Sequence, residues 1–528
     1  MASSSFAQES SFAQEYSGWG PGLGADAAAA AGCEFAIERL DAEQAAALTP
    51  EQFFRRYVAA RRPVVLGAQL PADRAAGAWR GLERWTDAYL GASAAAGQTV
   101  QVETREDGER GRFGLGREAR MPFGELLEQL GAGATHLYLT TQDQGEDGDE
   151  GRARVMSAPV AQLRADFPLR PALAGRLLPA NVNMWMGNNR SGSSSGLHHD
   201  FHDNLYLVLR GRKRFRLFAP SCAGAMAVRG ELVRVHANGR VNYAGEETAA
   251  DGAEHGAAAA LRGALAAQGA LAAAEEEVEA AGAAAAAGEA GAAARVAEAE
   301  EALERALDDM LGAECGDGED DEDDDEEDDE EEDEDEEDED DGEGGGRGKK
   351  RARKLGGGFW EREGYDDASE RGGFFEDADE DEDEDGDAPG GGGKRKGKAA
   401  ALAKAPAHPS NFSAVDMSAP AAEIAKRFPE FGRAPMLSCE VGAGETLYLP
   451  CGWFHEVTSF AAGVGGSDAP AAAGGGEGAA APAPGLGAGH CALNYWFHPP
   501  DTADFERPYS SSFWQDDWDA RGGDGAVV

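Results

Sequence analysis

Three polar side chains in otherwise apolar runs have the types and spacing of a metal site. His198 and Asp200 stand two residues apart in one strand-like run, and His455 lies in a second run far downstream. Because residues i and i+2 of a strand point to the same face, His198 and Asp200 can reach one ion while His199 points away. Two histidines and one carboxylate leave coordination positions open, as in non-haem iron(II) sites.

The His-x-Asp triplet is not specific by itself, because a chain with ten histidines produces it by chance. A structural or accidental triplet is therefore one interpretation. The neighbouring residues favour a metal, since Leu205, Leu207 and Leu209 indicate a buried strand. Burying unpaired histidine and aspartate side chains costs free energy, and a bound metal would account for them.

Lys213 adds a second feature, in the run that follows the turn at Arg210-Gly211. Strand alternation places Lys213 with Phe215 and Leu217 on one face and three arginines on the other. An inward lysine needs an anion, and the distal carboxylate of a 2-oxo acid is a suitable one. The alternative is a solvated strand on which Lys213 forms a surface salt bridge.

These runs resemble the JmjC-domain, cupin-like Fe(II)- and 2-oxoglutarate-dependent oxygenases. The resemblance is strongest to the small JmjC-only branch related to the asparaginyl hydroxylase that inhibits hypoxia-inducible factor. The shared pattern is His-x-Asp, Asn, Gly-x-Lys and Pro-x-Gly-Trp-x-His, and it covers roughly 34–245 and 407–505. The matching residues are His198, Asp200, Asn204, Gly211, Lys213, Pro450, Gly452, Trp453 and His455.

The resemblance implies a role for each matching residue. The implied Fe(II) ligands, which are also the catalytic residues, are His198, Asp200 and His455. The implied contacts to 2-oxoglutarate are Lys213 at its distal carboxylate, Tyr138, Ser195, Asn204 and Asn494. The implied reaction couples oxidative decarboxylation of this cosubstrate to hydroxylation of a C–H bond.

Three functions are compatible with these residues. We expect a protein side-chain hydroxylase, because no histone-reading module accompanies the domain. A histone lysine demethylase is the alternative with the same chemistry, since hydroxylation of an N-methyl group leads to its loss. A non-catalytic cupin scaffold with an acidic tract that binds histones or other basic proteins is the third, and the complete triad with Lys213 argues against it.

The patterns predict a mainly β fold, a double-stranded β-helix of the cupin or jelly-roll type with flanking N-terminal helices and a long disordered acidic insert. A helix is predicted to begin near Thr49-Pro50 and to lead into a buried strand over Val64–Leu66. Further helices are predicted at 82–90 and 121–130, and further strands at 98–105, 136–142 and 181–187.

Composition divides the chain into segments. The predicted segments are a disordered tail at 1–33, two halves of one domain at 34–245 and 407–505, a disordered loop at 461–489 and a C-terminal tail at 506–528. The insert at 246–406 begins Ala- and Glu-rich, which favours helix, and continues as an acidic run over 316–343. His455 stands 255 positions after Asp200, and the insert accounts for 161 of them.

The net charge of −50 disfavours direct nucleic-acid binding and favours a basic protein as partner, such as a histone or ribosomal protein. Six scattered cysteines indicate a reducing compartment. No membrane contact is expected, because no run approaches the roughly 20 apolar residues of a span.

The expected location is the nucleus or the cytoplasm. KKRARK (349–354) predicts nuclear import, and the alternative is a patch that balances the acidic run. The oligomeric state stays open, although dimers are common in the related branch. Of the remaining residues, His202 is interpreted as a neighbour of the metal, Asn238-Gly239 as a hairpin turn, and Trp453 and Trp496 as core.

Overall fold

The computed structural model describes residues 13–16, 18, 34–105, 117–141, 155–288, 290–315, 409–462, 487, 489–521 and 523. The described residues fall into two compact units, divided after Glu254. The first unit contains the strands, and the second contains two long helices.

The strands are β1 (Ala13–Gln14), β2 (Glu34–Ala36), β3 (Arg39–Leu40), β4 (Val64–Leu66), β5 (Thr99–Thr104), β6 (Arg117–Pro122), β7 (Leu137–Thr140), β8 (Pro179–Gly187), β9 (Ser193–Ser194), β10 (His198–His199), β11 (Asp203–Arg210), β12 (Arg212–Phe218), β13 (Leu232–Val235), β14 (Val241–Tyr243), β15 (Met436–Gly442), β16 (Thr446–Leu449), β17 (Phe454–Phe460) and β18 (His490–Phe497). The α-helices are α1 (Ala42–Ala47), α2 (Pro50–Phe53), α3 (Pro71–Ala75), α4 (Gly81–Arg84), α5 (Asp87–Ala92), α6 (Phe123–Gly131), α7 (Ala257–Ala286), α8 (Ala292–Cys315), α9 (Ala421–Arg427) and α10 (Phe513–Ala520).

Two sheets enclose an apolar layer. The larger has the order β3-β4-β16-β11-β18-β8-β7-β5-β6, and the smaller has the order β10-β17-β12-β15-β2 with β9 also paired to β17. Tyr206 and Leu447 from the larger sheet and Phe215, Leu437 and Trp453 from the smaller sheet and its turn share one buried cluster. This arrangement confirms the predicted double-stranded β-helix.

Strands from beyond the insert lie between strands from before it. β16 lies between β4 and β11, β18 lies between β11 and β8, and β17 lies between β10 and β12. Each of these contacts is antiparallel. Neither segment therefore completes either of these two sheets alone, and the two segments form one unit.

The N-terminal helices cover the outer face of the larger sheet. Thr49 caps α2, since its Oγ1 accepts a hydrogen bond from the Gln52 backbone N–H at 3.2 Å, as expected for a helix beginning at Pro50. A π-helical turn, Phe54–Val58, continues α2. The helix predicted at 82–90 is instead two helices, α4 and α5, because Thr86 caps the second one.

The first unit extends beyond the predicted boundaries. β1 pairs in parallel with β13 and Tyr16 is buried, so the predicted disordered tail is wrong at 13–16, while the rest of 1–33 except Gly18 lies outside the described residues. At the other end, α10 packs through the buried Trp518, and the indole N–H of Trp514 donates to the Asp251 carbonyl at 3.0 Å. Residues up to Glu254 also belong to this unit.

The second unit pairs α7 with α8. Alanines at seven-residue intervals are buried, Ala274 and Ala281 on α7 and Ala292, Ala299 and Ala306 on α8. This spacing is typical of helices that pack along a heptad seam. The acidic run 316–343, the basic clusters and the core of the predicted loop at 461–489 lie outside the described residues.

Among the described residues, α7 is long and apolar enough to cross a membrane by length and composition alone, although core helices and signal sequences pass the same test. This helix differs from the sequence prediction that no apolar run approaches the length of a membrane span. The absence of membrane contact therefore stays a prediction.

One buried carboxylate joins three distant segments of the first unit. Asp203, at the start of β11, accepts hydrogen bonds from the Arg61 guanidinium at 2.9 Å, the Tyr448 hydroxyl at 2.6 Å and the Cys451 backbone N–H at 2.9 Å. Asp203 is fully buried and Arg61 nearly so. Asp203 thereby connects the N-terminal helices to the turn that leads into β17.

We expect Asp203→Asn to lower the free energy of unfolding by about 3–5 kcal/mol, because it leaves the Arg61 guanidinium buried without a counter-charge. Urea denaturation of the metal-free protein measures the change. Glu430→Gln is the matched control, since its salt bridge with Arg433 is exposed and the expected loss is at most about 1 kcal/mol. Equal losses in the two variants would contradict a structural role for the Asp203 carboxylate.

Candidate functional site

His198, Asp200 and His455 converge on one point. Their candidate ligand atoms all lie within 4.8 Å of one another. Nε2 of His198 lies 3.8 Å from Oδ1 of Asp200, and Nε2 of His455 lies 3.7 Å from Oδ2 of the same carboxylate. Within the described part of the chain, no other group of histidines, cysteines and acids has this geometry.

The pairing of β10 with β17 brings the ligands together. His198 is directly opposite His455 in that antiparallel pair, and the Gly452 backbone N–H donates to the Asp200 carbonyl at 2.9 Å. Gly452 has φ +71°, and a Cβ there would lie 1.7 Å from the Gly239 carbonyl oxygen. The turn before β17 therefore requires glycine at 452 to approach the hairpin at Asn238-Gly239.

The hydrogen bonds of the two histidines orient them as metal ligands. Nδ1 of His198 lies 3.1 Å from the Gly196 carbonyl, and Nδ1 of His455 lies 2.8 Å from the Trp453 carbonyl. Each carbonyl accepts a hydrogen bond from Nδ1–H, so Nε2 of each ring is unprotonated and presents its lone pair toward Asp200. Burial, together with the neighbouring His455, lowers the pKa of His198 to about 4, which keeps the ring in its neutral, ligating form.

A chain of amide hydrogen bonds supports the Asp200 carboxylate. Nδ2 of Asn204 donates to Oδ2 of Asp200 at 3.3 Å, and Nδ2 of Asn494 donates to Oδ1 of Asn204 at 3.1 Å. The indole N–H of Trp185 completes the chain by donating to Oδ1 of Asn494 at 2.7 Å. The structure thus places Asn204 and Asn494 beside the candidate metal ligand, and their contact with 2-oxoglutarate stays a prediction.

Lys213 is a buried cation on the inner face, with 1% of its surface exposed. Its Nζ donates to the Ser459 hydroxyl at 2.6 Å and to the Tyr138 hydroxyl at 3.3 Å. Within the described part of the chain it has no acidic partner. Lys213 and Tyr138, which the resemblance assigns to the same ligand, therefore lie in contact. The alternative, a surface salt bridge of Lys213, is not formed among the described residues.

Ser195 does not join that group. Its hydroxyl donates to the Gly196 carbonyl at 3.0 Å and accepts from the Val457 backbone N–H at 3.1 Å, so it ties the β9–β10 segment to β17. The hydroxyl beside Lys213 belongs to Ser459, which is opposite Lys213 in the β12–β17 pair. Sequence reasoning missed Ser459 because the register of two distant strands decides which serine reaches the lysine.

Two further polar residues on the inner face escaped the sequence analysis. Asn183 lies opposite Asn494 and is fully buried, and His490 begins β18 with 1% of its surface exposed. Among the described residues, neither side chain has a hydrogen-bond partner. Strand alternation back from Asn494 would have placed His490 on the inner face.

The other histidines near the triad have structural surroundings. His199 points away from the metal ligands, as alternation predicts, and its Nε2 lies 2.7 Å from the Tyr243 hydroxyl. His202 stacks on Trp496, and burial, followed by the charge of Arg240, lowers its pKa to about 3. Trp453 and Trp496 are both buried in the core.

We expect His198→Ala and His455→Ala each to abolish stoichiometric binding of Co(II), a spectroscopic substitute for Fe(II), because two remaining ligands cannot hold the ion. Titration of the metal-free protein, followed by its visible absorption, measures binding. His255→Ala, at an exposed position, should bind as the wild type does. Unchanged binding in both triad variants would place the metal elsewhere.

Comparison with known proteins agrees with this architecture. The family model described as a cupin-like domain matches residues 50–503. JmjC domain-containing protein 4 of Schizosaccharomyces pombe is 30% identical over 496 residues, which cover 89% of this chain and 87% of that protein. The human bifunctional peptidase and (3S)-lysyl hydroxylase JMJD7 is 27% identical over 180 residues, 33% of this chain and 52% of that protein.

Proposed function

The chain belongs to the JmjC family of cupin-like proteins, and on that premise we propose that it is an Fe(II)- and 2-oxoglutarate-dependent dioxygenase that hydroxylates a protein side chain. JmjC domains typically use Fe(II) and 2-oxoglutarate. The observation that carries the proposal is the buried ammonium of Lys213, which lacks an acidic partner in the described chain and lies on the same face as the triad.

The residues present fit both groups. His198, Asp200 and His455 offer two neutral nitrogens and one carboxylate, which suits Fe(II) and leaves positions for further ligands. Ser459, opposite Lys213, stands four residues from His455 on the same face of β17, about 13 Å along the strand. The long Lys213 side chain shortens that span, so one dicarboxylate can meet the metal at one end and the ammonium at the other.

Each part of the site has a separate task in this proposal. Iron and 2-oxoglutarate, when bound, supply O₂ activation and the oxidising equivalents, with succinate and CO₂ as coproducts. Asn204 holds the Asp200 carboxylate in its orientation, and Phe412 stacks on the His198 ring with 4.8 Å between centroids. The apolar layer between the sheets excludes water from the reacting centre.

A protein side chain is the proposed substrate. JMJD7 is by its name a lysyl hydroxylase, and this chain shares 27% identity with it over 180 residues. The acidic run of this chain, with a net charge of −50 overall, supports a basic protein as the partner. We propose nuclear or cytoplasmic action on such a protein, with KKRARK as the import signal.

We expect Lys213→Met to abolish cosubstrate binding while it leaves the metal-free protein at least as stable as the wild type, because a buried charge without a counter-ion is costly. At 100 times its Kd, 2-oxoglutarate should stabilise the Mn(II)-loaded wild type by about 2.7 kcal/mol and the variant hardly at all. Thermal denaturation measures both effects.

Lys426→Met, at an exposed lysine, is the control and should retain the full stabilisation by 2-oxoglutarate. If Lys213→Met retained it too, the pocket for the distal carboxylate would lie elsewhere.

The reaction itself is tested with purified full-length protein, Fe(II), 2-oxoglutarate and a library of basic proteins and methylated peptides. We expect succinate formation and a mass gain of one oxygen atom on a protein substrate, labelled when ¹⁸O₂ is supplied. Loss of methyl groups would instead support the demethylase. No turnover by the wild type, with or without a substrate, would favour the scaffold, and His198→Ala is the inactive control.

A further inference from the structure

His490 is the first residue of β18 and lies on the same inner face as the site. It is opposite Gly187 in the β8–β18 pair, and a Cβ at Gly187 would lie 2.8 Å from Nε2 of His490 and 3.0 Å from the Tyr138 ring. Asn494 is four residues further along β18 and points to the same face. Glycine at 187 therefore leaves the space that the imidazole occupies.

The imidazole and the Lys213 ammonium both lie against the side chain of Tyr138. The His490 ring centroid lies 5.4 Å from that of Tyr138, and Nζ of Lys213 lies 5.7 Å from the same Tyr138 centroid. Nζ also donates to the Tyr138 hydroxyl. The three side chains thus form one polar group at the end of the inner face away from His455.

Both ring nitrogens of His490 lack a hydrogen-bond partner among the described residues, although only 1% of the residue's surface is exposed. A buried imidazole without a partner costs free energy, and buried polar groups in native proteins almost always have one. A stably folded domain in which such an unsatisfied imidazole lies near an ammonium without a counter-charge indicates a ligand that completes both interactions.

The charges around His490 fit an anion. Arg105 pairs with Glu103 and Arg210 pairs with Asp87, whereas Lys213 has no such partner in the described chain. Burial, and then the charges of Lys213, Arg210 and Arg105, hold the pKa of His490 well below its usual range. The ring is therefore neutral and carries one N–H that it can donate.

We propose that His490 is a specificity-determining residue, which donates its N–H to the distal carboxylate of the 2-oxo acid beside Lys213 and so selects dicarboxylates over monocarboxylates. This inference rests on the proposed function. A carboxylate at this position accepts from the imidazole and the ammonium together, and it supplies the negative charge that Lys213 lacks.

Calorimetry on the Mn(II)-loaded full-length protein tests this role with two ligands. 2-Oxoglutarate has the distal carboxylate, and 2-oxopentanoate has the same carbon chain without it. We expect His490→Phe, which keeps a ring and removes the N–H, to weaken 2-oxoglutarate binding about tenfold and to leave 2-oxopentanoate unaffected. His490→Gln keeps a donor and should stay within about threefold of the wild type for both ligands.

The controls separate the possible failures. His255→Phe makes the same change at an exposed position and should alter neither affinity. Equal weakening of both ligands by His490→Phe, or no weakening of either, would overturn the role of His490 and leave the proposed function intact. A wild type that binds neither ligand would overturn the proposed function as well.

A measurement on the wild type covers the case in which His490→Phe does not fold. The imidazole ¹⁵N signals of His490, identified by their absence from His490→Gln, should shift when 2-oxoglutarate saturates the protein and should not shift with 2-oxopentanoate. Identical spectra with the two ligands would show that the ring does not contact the distal carboxylate.

Discussion

The buried carboxylate of Asp203 is the interaction on which the geometry of the site depends. It lies three residues after Asp200, and its partner Cys451 lies four residues before His455, so one ion-pair network fixes both strands that carry metal ligands. Arg61, at φ +51°, occupies the left-handed region, which costs about 1–3 kcal/mol in a non-glycine residue. The guanidinium–carboxylate pair and the two further donors, the Tyr448 hydroxyl and the Cys451 backbone N–H, offset both this strain and the desolvation of two charges.

The buried polar residues around Asp203 and those around Lys213 differ in whether the protein supplies their partners. Around Asp203 the buried charges are paired, whereas among the described residues Lys213 has no counter-charge, and His490 and Asn183 have no hydrogen-bond partners. A core selected for stability alone would replace them with apolar side chains. A ligand that completed these interactions would link its binding to folding stability.

Strand alternation predicted which way side chains face on a single strand, whereas contacts between distant strands depend on the register of their pairing. Alternation was enough to place Lys213 inward and His199 away from the metal ligands, because neighbouring residues on a strand must face opposite sides. It could not tell that Ser459 rather than Ser195 reaches Lys213, because that depends on how β17 pairs with β12. The ion pair of Arg61 and Asp203 joins residues 142 positions apart, and no local sequence pattern around either residue predicts it.

The interleaving of the sheets has a consequence for folding during synthesis. β16, β17 and β18 are made last, yet each is the middle strand between two earlier ones, so the nascent chain carries gaps in both sheets until translation passes residue 497. Until then β4, β8, β10, β11 and β12 expose unpaired edges, the kind of surface that associates with other chains. With such long-range pairing the domain is expected to fold slowly and only after its last strand emerges.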